Sequence, residues 1–206
     1  MRVVDARSVG ALELAARTLG DGGLVAIPTE TVYGLAVLPT RAGLERLIAA
    51  KRRSADKGIQ LLIDSLEQAR AVAELTDDAV RLATRFWPGP LTLVLRRRAG
   101  VELPELLGGG RPTLGLRLPD HVVPRSLARA LGPLAASSAN VSGQPDATSA
   151  DLVTASLGEA VDVLLDDGPV RGGVPSSVVA SLAGELVRVL RAGAISEERL
   201  LESLRE

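Results

Sequence analysis

Short apolar runs alternate with helical patterns along this chain, and that alternation restricts the fold more than any other feature. Runs of strand length lie between segments whose apolar residues recur at the spacing of an amphipathic helix. Strands are predicted at Leu24–Pro28, Ile59–Ile63, Leu91–Leu95, Thr113–Leu118, Val161–Leu165, Ser177–Leu182 and Leu186–Leu190, with a further apolar segment at Pro133–Ala136. Helices are predicted at Ser8–Leu19, Arg41–Arg53, Leu66–Leu75, Asp78–Phe86, Pro124–Leu131, Ala150–Leu157 and Ser196–Leu204. The pattern indicates an α/β fold, in which helices pack on a sheet.

The composition predicts one domain with an aliphatic core. Of the 206 residues, 46% are hydrophobic and 24% are charged, which is the ordinary range for a globular domain. The chain has a single Trp, Tyr and Phe, so Ala, Leu and Val must fill its core. We see no repeat, low-complexity tract or linker, and we predict a single domain over residues 1–206.

Several classes of function are disfavoured by the residues that the chain lacks. Without cysteine there is no disulfide and no thiolate chemistry. The one histidine, His121, excludes a cluster of His metal ligands, and we predict that it is a surface or cap residue. The P-loop, Rossmann, nucleophile-elbow and zincin signatures are missing. The formal net charge of −1 does not favour broad binding to nucleic-acid backbones, but it leaves room for a local basic pocket.

No targeting or membrane segment is predicted. The N-terminal sequence MRVVDARSVG lacks the apolar core of a signal peptide, and no apolar run approaches membrane-spanning length. We therefore expect a soluble, cytoplasmic protein that does not associate with a membrane.

The first of four polar segments, PTETVYG, begins at Pro28, where a predicted strand ends. Hydroxyl groups such as that of Thr29 can bind a small polar ligand at a strand end, and Gly34 would allow close approach of the backbone. The alternative is a plain turn in which Tyr33 is packed as a core residue.

The second polar segment, KRRSADKG, follows a predicted helix and contains Lys51, Arg53 and Lys57. Cations at a helix C-terminus complement the helix dipole, which is a sufficient structural reason for their presence. The functional alternative is a phosphate clamp, in which Arg53 forks onto oxygens and Lys57 acts as a point charge across the turn. Spacing alone does not separate the two interpretations.

The third and fourth polar segments, SSANVSGQPD and GPVRGGVPSSVV, also lie beside apolar runs. Ser138 and Asn140 follow an apolar segment, and open α/β sheets bind ligands in the loops at such strand ends. The glycines of the fourth segment favour a tight turn that presents Ser176. A structural turn is the alternative for each segment. Arg117 is a further candidate, because it ends the apolar run TLGLR and could point into a cleft.

The order of these motifs is more specific than any one of them. The chain contains PTETVYGLA, then KxR followed four residues later by Lys, and then WPGPLT, TLGLRLP, SSANVSG, RGGVPSS and LRAGAI. This series resembles the YrdC-type family of threonylcarbamoyl-AMP synthases, and the resemblance runs from about Gly22 to Ile195. Because the chain ends soon after LRAGAI, it is similar to the short form, which lacks the additional C-terminal domain of longer relatives.

The resemblance implies a fold and a reaction. The fold is a twisted, mixed and open α/β sheet flanked by helices around a basic cavity. The enzyme is a nucleotidyltransferase that joins L-threonine, bicarbonate or CO2, and ATP, with Mg²⁺ bound to the ATP, into threonylcarbamoyl-AMP and pyrophosphate. The product serves the t6A37 modification of tRNA, which a separate transferase complex completes downstream; direct contact with tRNA is left open.

The resemblance also assigns roles to individual residues. Lys51 and Arg53 would supply positive charge during catalysis. The residues implied at the ATP site are Arg53, Lys57, Thr113, Ser138, Asn140, Asp146 and Arg191. The residues implied at the threonine site are Thr29, Tyr33, Arg117, Ala136 and Ser176. Arg117 would pair with the carboxylate of the amino acid, Tyr33 would wall the cavity beside Thr29, and no metal ligand is assigned.

The chain departs from the family pattern at a few positions. Ser54 and Gly58-Ile59 stand where many relatives have Pro and Pro-Leu, and Ala192 stands where Pro is frequent. PSS replaces the commoner PST, and Leu62 replaces a His that touches threonine in longer relatives. No departure removes a charged group, so we expect activity to survive.

Two other functions compete with this interpretation. A non-catalytic RNA-binding module could use the same basic concave surface, although the net charge of −1 argues against it. A carboxylate-metal enzyme acting on a sugar phosphate would need clustered acidic ligands, and the candidates are scattered along the chain: Glu30, Asp146, Asp166 and Asp167.

Overall fold

The chain folds around one mixed, open β-sheet with helices on both faces. The computed structural model describes residues 1–170 and 172–205. Its strands are β1 (Arg2–Asp5), β2 (Val25–Ile27), β3 (Gly34–Val37), β4 (Gln60–Leu62), β5 (Ala73–Glu74), β6 (Leu91–Arg97), β7 (Thr113–Arg117), β8 (Leu134–Ser138), β9 (Val163–Asp166), β10 (Ser177–Ala180) and β11 (Arg188–Arg191). Its α-helices are α1 (Ala11–Gly20), α2 (Arg41–Ala50), α3 (Leu66–Val72), α4 (Asp77–Phe86), α5 (Val122–Leu131), α6 (Ala150–Leu157) and α7 (Glu197–Glu202). Within the described residues, no helix has the length and hydropathy needed to span a membrane.

The sheet mixes parallel and antiparallel pairs. Its strands follow the order β1, β9, β2, β3, β8, β4, β7, β6, β10 and β11, and β5 lies beside β6. The pairs β1–β9, β9–β2, β4–β7 and β6–β10 are parallel, and the others are antiparallel. Because β1 and β11 lie at opposite ends of this order, the sheet is open, as predicted.

Alternate residues of the central strands enter two separate cores. In the β2 region Leu24 and Ala26 pack on one face, while Val25 and Ile27 pack on the other, because successive side chains of a strand point to opposite faces. The first core is closed from outside by apolar residues of α2, α4 and α6: Leu44, Leu47, Ala79, Leu82, Val153 and Leu157. The second core is closed by α1 and α5: Ala11, Ala15, Leu19, Val123, Leu127 and Ala128.

Several predicted elements are confirmed closely. The helix Ala150–Leu157 has the predicted bounds. Ser196 caps α7 by accepting a hydrogen bond from the Arg199 amide at 3.4 Å, as its sequence position indicates. His121 is the N-cap of α5, where its Nδ1 accepts a hydrogen bond from the Val123 amide at 3.2 Å. The predicted cap role of this histidine is therefore confirmed.

Other predicted bounds are wrong. The helix predicted over Leu66–Leu75 ends at Val72, because Ala73 and Glu74 pair with β6 instead of continuing the helix. The segment interpreted as a ligand loop contains an unpredicted strand, β3, and the edge strand β1 is also unpredicted. Ser137 and Ser138 end strand β8, although the sequence places them in a loop.

A glycine-rich loop fixes the segment that follows α2. The Ile59 amide donates to the Leu107 carbonyl at 2.8 Å, so the residues before β4 are held against this loop. Gly109 has φ of 60°, and a Cβ atom there would overlap the Asp56 carbonyl oxygen. A residue with a side chain would therefore meet both backbone strain and a collision with the main chain.

We expect Gly109→Ala to lower the free energy of unfolding more than Gly110→Ala does. Gly110 has φ of 78° but nothing within 4 Å of a Cβ position, so its substitution carries only the left-handed backbone cost of about 1 kcal/mol. Gly109→Ala carries the same cost and must also displace the Asp56 carbonyl. Urea unfolding of both variants measures the difference, and equal losses would contradict the tight packing of this loop.

Candidate active site

A cavity of about 580 Å³ lies on one half of the sheet. Its walls come from β4, β6, β7, β8, β10 and β11 and from the loops beside them. The lining residues are Val32, Arg53, Gly58, Ile59, Gln60, Thr92, Val94, Leu107, Gly108, Arg111, Thr113, Gly115, Arg117, Ala136, Ser137, Ser138, Asp146, Pro175, Ser176, Val178, Leu190 and Arg191. A cavity of this size is typical of a small-molecule site.

Strand alternation creates this cavity. In β6 the leucines point into the first core, whereas Thr92 and Val94 line the cavity. In β7 Leu114 and Leu116 enter the same core and Gly115 lines the cavity. These cavity-lining residues lie on the same sheet face as the second core. Helices α1 and α5 cover only the other half of this face. The cavity is therefore the uncovered half of that face.

The cavity is strongly cationic. Four arginines line it, Arg53, Arg111, Arg117 and Arg191, whereas Asp146 is the one carboxylate among its described lining residues. This balance agrees with the predicted basic cavity, and it arises locally in a chain whose net charge is −1. Such a site favours anionic ligands, because guanidinium groups form charge-assisted hydrogen bonds with phosphate and carboxylate oxygens.

Arg53 reaches the cavity because the chain turns sharply after α2. The preceding residue, Arg52, has φ of 49°, in the left-handed region that side chains other than glycine seldom adopt. The Arg53 Nη2 group donates to the Gly58 carbonyl at 2.8 Å, and its buried Nε has no hydrogen-bond partner among the described residues. Burial lowers the pKa of Arg53. This guanidinium is thus positioned by its own loop and keeps a donor for a ligand.

Lys51 holds two segments together from inside the protein. Its side chain is 1% exposed, and its Nζ donates to the main-chain carbonyl of Ser138 and, at 2.5 Å, to that of Asn140. Burial lowers the pKa of Lys51 to about 8. The ammonium group does not line the cavity; it ties the end of α2 to the end of β8, and its predicted catalytic role stays a prediction.

Ser176 lies in a hydrogen-bonded row that crosses three strands. Its hydroxyl is 2.8 Å from the Thr92 hydroxyl, which donates to Gln60 Oε1 at 2.8 Å. Arg191 donates through Nη2 to the Ser176 carbonyl at 2.7 Å. These contacts fix both the serine and the arginine at the cavity wall.

Arg117 ends β7 with its side chain only 3% exposed. Its Nη2 group donates to the Thr31 hydroxyl at 2.9 Å and lies 2.8 Å from Glu30 Oε1. Its Nε donates to the Gly89 carbonyl at 3.3 Å. The Nη1 group has no described partner, so one face of this guanidinium is left for a ligand.

The structure brings most of the predicted site residues together. Those that line the cavity are Arg53, Thr113, Arg117, Ala136, Ser138, Asp146, Ser176 and Arg191. Those that do not line it are Thr29, Tyr33, Lys51, Lys57 and Asn140. The residues of the second group are buried, except for Lys57, which is exposed. Arg171 of the fourth polar segment lies outside the described residues.

The predicted position of Tyr33 in the cavity wall is wrong. Val32 lines the cavity, and Tyr33, its neighbour, belongs to the first core and is fully buried. The Tyr33 hydroxyl donates to the Gly168 carbonyl at 2.8 Å and lies 3.2 Å from Asp166 Oδ1. Burial raises its pKa to about 12. The core-residue alternative for this tyrosine is the one that fits the structure.

Thr29 and Asn140 shape the loops that surround the cavity. The Thr29 hydroxyl donates to the Val32 carbonyl at 2.6 Å and accepts from the amides of the same turn. The Asn140 side chain donates to the Gln144 carbonyl at 2.6 Å, and its Oδ1 lies 3.4 Å from Lys51 Nζ. Both side chains are therefore committed to internal hydrogen bonds.

Sequence reasoning assigned no role to four polar residues of the cavity: Gln60, Thr92, Arg111 and Ser137. Gln60 and Thr92 lie inside the apolar segments GIQLLI and LTLVL, and Arg111 follows the glycine-rich loop. A polar residue at one alternate position of an otherwise apolar strand was the available signal for the first two. For Arg111 the sequence carries no such signal, because only the contact of that loop with residues 52–58 brings it near Arg53.

The described residues contain no group of three or more His, Cys, Asp or Glu side chains that could hold a metal ion. Asp146 alone offers a carboxylate to the cavity. A protein-built metal cage does not fit this donor set, but an ion that keeps most of its water ligands does, because Mg²⁺ commonly binds one carboxylate together with substrate phosphates.

We expect the free energy of unfolding to rise between about pH 8 and pH 10 because of Lys51. Its pKa is about 8 in the folded protein and 10.5 ordinarily, so the unfolded chain binds more protons in this range. The slope from one such group is at most about 1.4 kcal/mol per pH unit. Tyr33 acts in the opposite direction only above about pH 10, since its folded pKa is raised.

Urea unfolding as a function of pH measures this effect. Lys51→Met should remove the rise, whereas Lys57→Met, at the exposed lysine of the same segment, should keep it. A rise that persists in Lys51→Met would assign it to another group.

Comparison with known proteins places this geometry in a family. The sequence profile of the Sua5_yciO_yrdC family, described as "Telomere recombination", matches residues 17–193. A protein of Pyrococcus abyssi named threonylcarbamoyl-AMP synthase is 41% identical over 82% of this chain, which spans 50% of that relative. An Idiomarina loihiensis protein of the same name is 35% identical over 84% of this chain, which spans 95% of that relative.

A solved structure agrees with both relatives. The crystal structure of P. abyssi Sua5 complexed with L-threonine superposes with a TM-score of 0.91 at 36% identity, over 98% of this chain and 60% of that one. The predicted open α/β sheet and the predicted family resemblance are thereby confirmed. This chain belongs to the Sua5_yciO_yrdC family.

Proposed function

We propose that this protein is an L-threonylcarbamoyladenylate synthase, which uses L-threonine, bicarbonate or CO2, and ATP. The observation that carries the proposal is the cavity itself, where four arginines lie beside the hydroxyls of Thr92, Thr113, Ser138 and Ser176 in a member of this family. The names of the relatives and the threonine complex of the Pyrococcus protein support the same reaction.

The reaction needs positioning more than a reactive side chain. The threonine amine attacks the carbon of CO2 and loses a proton, which gives a carbamate. A carbamate oxygen then attacks the α-phosphorus of ATP, and the bond from that phosphorus to the bridging oxygen breaks to release pyrophosphate. No covalent enzyme intermediate is required, so the protein contributes by orienting two anions and by stabilising charge on the leaving group.

Arg53 and Arg191 are the groups proposed to bind the ATP phosphates. Both line the cavity and both are held through donors to main-chain carbonyls, so their orientation is set before the ligand arrives. Ser138, at the end of β8, and Thr113, at the start of β7, would add hydroxyl donors. Lys51 would act indirectly, by fixing the Ser138 carbonyl and the loop after it.

Arg117, Ser176 and Ala136 are proposed to form the threonine end of the cavity. The free Nη1 of Arg117 suits the amino-acid carboxylate, and the Ser176 hydroxyl is already oriented by Thr92. Thr29 is proposed to support this end by shaping the turn that carries Thr31, the partner of Arg117.

The ATP is proposed to carry Mg²⁺. Asp146 is the carboxylate among the described lining residues, so it is the protein group proposed to bind this ion. A bound Mg²⁺ would neutralise part of the phosphate charge. Burial lowers the pKa of Arg191, and the negative charge of Asp146 partly opposes that effect, so the carboxylate acts on the proposed phosphate site.

The reaction is tested by incubating the protein with ATP, L-threonine and bicarbonate. Pyrophosphate release should require all three substrates, and threonylcarbamoyl-AMP should be found by mass spectrometry. Pyrophosphate release that ignores threonine, or no release, would refute the proposal.

We expect Arg53→Ala to slow adenylate formation by at least about tenfold, which is about 1.4 kcal/mol of lost transition-state stabilisation. The reason is the loss of a positioned guanidinium at the phosphate site. Arg17→Ala is the matched control, because Arg17 is exposed on α1, away from the cavity lining. Equal rates in the two variants would mean that Arg53 serves only the end of α2.

The competing RNA-binding role fits the structure less well. The arginines face a cavity of about 580 Å³ rather than an extended groove, and this volume suits a nucleotide better than a polynucleotide. RNA binding without pyrophosphate release would favour the competing role. The proposed product would serve t6A37 formation in cytoplasmic tRNA, through a separate transferase complex.

A further inference from the structure

Glu30 carries a buried carboxylate that receives no hydrogen bond of regular geometry within the described part of the chain. Its Oε1 lies 2.8 Å from Arg117 Nη2, but neither carboxylate oxygen accepts a hydrogen bond of regular geometry from a described residue. Leaving such an acceptor buried and unsatisfied is costly. A group from outside the chain is therefore expected to donate to Glu30.

The neighbouring hydroxyls cannot serve Glu30, because their protons are used elsewhere. The Thr29 hydroxyl donates to the Val32 carbonyl at 2.6 Å. The Thr31 hydroxyl accepts from Arg117 and lies 3.0 Å from Thr29 Oγ1, which is its available acceptor. The threonine hydroxyls of the turn PTET therefore donate to other acceptors, and neither of them donates to Glu30.

Arg117 and Glu30 place a positive and a negative group side by side at the threonine end of the cavity. Arg117 is a cavity-lining residue, and the Glu30 side chain, 20% exposed, lies against it. A free amino acid is a zwitterion whose ammonium and carboxylate groups are attached to the same carbon. The charges of the protein pair therefore complement those of an amino acid, whereas the other cavity arginines suit a simple anion.

We propose that Glu30 binds the ammonium group of the amino-acid substrate while Arg117 binds its carboxylate, so that the pair selects a zwitterion. This inference rests on the proposed function, and it makes Glu30 a determinant of substrate specificity. The Glu30 oxygen that is not paired with Arg117 has no hydrogen-bond partner among the described residues, and it is the atom proposed to receive the ammonium group. A carboxylic acid without an amine offers Glu30 no hydrogen-bond donor, and its carboxylate competes with Glu30 for Arg117.

The test compares two ligands that differ only in the amine. L-threonine and (R)-3-hydroxybutanoate share a carboxylate and a hydroxyl-bearing chain. Their affinities are measured by calorimetry, without ATP, for the wild type, Glu30→Gln and Arg117→Ala. Glu13→Gln on the exposed side of α1 is the matched control for the change from Glu to Gln.

We expect the wild type and the control to prefer L-threonine by at least about tenfold, since a hydrogen bond to a charged group is lost with the amine. Glu30→Gln should lose about tenfold in affinity for L-threonine and should keep or gain affinity for the hydroxy acid, because Arg117 is then uncompensated. Arg117→Ala should weaken both ligands.

Two results would overturn the inference. Equal weakening of both ligands in Glu30→Gln would mean that the glutamate only orients Arg117, and unchanged affinities would mean that it has no part in binding. A wild-type protein that binds neither ligand, yet has native circular dichroism, would instead refute the proposed function itself, and the inference would fall with it. Thermal unfolding of each variant separates these results from loss of fold.

Discussion

The sheet has one face that helices cover over only part of its width, and the site depends on this incomplete cover. Where α1 and α5 lie, that face is packed with Val25, Ile27 and their neighbours. Farther along the sheet the same face carries Thr92, Gly115 and Arg117, which line the cavity instead of packing into the second core. A single rule of strand geometry thus produces a stable aliphatic interior and a polar cavity from adjacent strands. The first core packs against the opposite face beneath both halves.

Lys51 provides the second constraint, because it joins segments that are distant in sequence. Its buried ammonium group bonds to main-chain carbonyls at Ser138 and Asn140. Burying a charge is unfavourable unless it is well paired, and the lowered pKa of Lys51 is the sign of that cost. The hydrogen bonds of the ammonium group offset this cost. They hold the end of α2, which carries Arg53, beside the end of β8, which carries Ser138. Lys51 therefore holds together two segments that carry residues of the cavity lining.

How much of this could be predicted from the sequence varies with the kind of residue. Local signals were sufficient for α6 and for the Ser196 cap, because periodicity and capping are properties of neighbouring residues. Arg117 was predictable as a cavity residue, since a cation that ends an apolar strand must leave the core. Tyr33 was not, because whether Val32 or Tyr33 faces the cavity depends on the pairing of β3 with β2 and β8. The buried state of Lys51 depends likewise on a contact between residues 87 positions apart.

The cavity arginines differ in whether a neighbouring carboxylate compensates their charge. This difference bears on the proposal that one cavity holds two kinds of ligand. Among the described residues, no carboxylate is in hydrogen-bonding contact with Arg53 or Arg191. Burial lowers the pKa of each arginine, and repulsion from another arginine adds to this effect. Such crowding of like charges is unfavourable in the empty protein and is relieved by a polyanion. Arg117 differs because Glu30 compensates its charge, so a polyanion gains less there. This difference supports the proposal that a triphosphate binds at Arg53 and Arg191, while the compensated end binds a ligand whose own charges sum to zero.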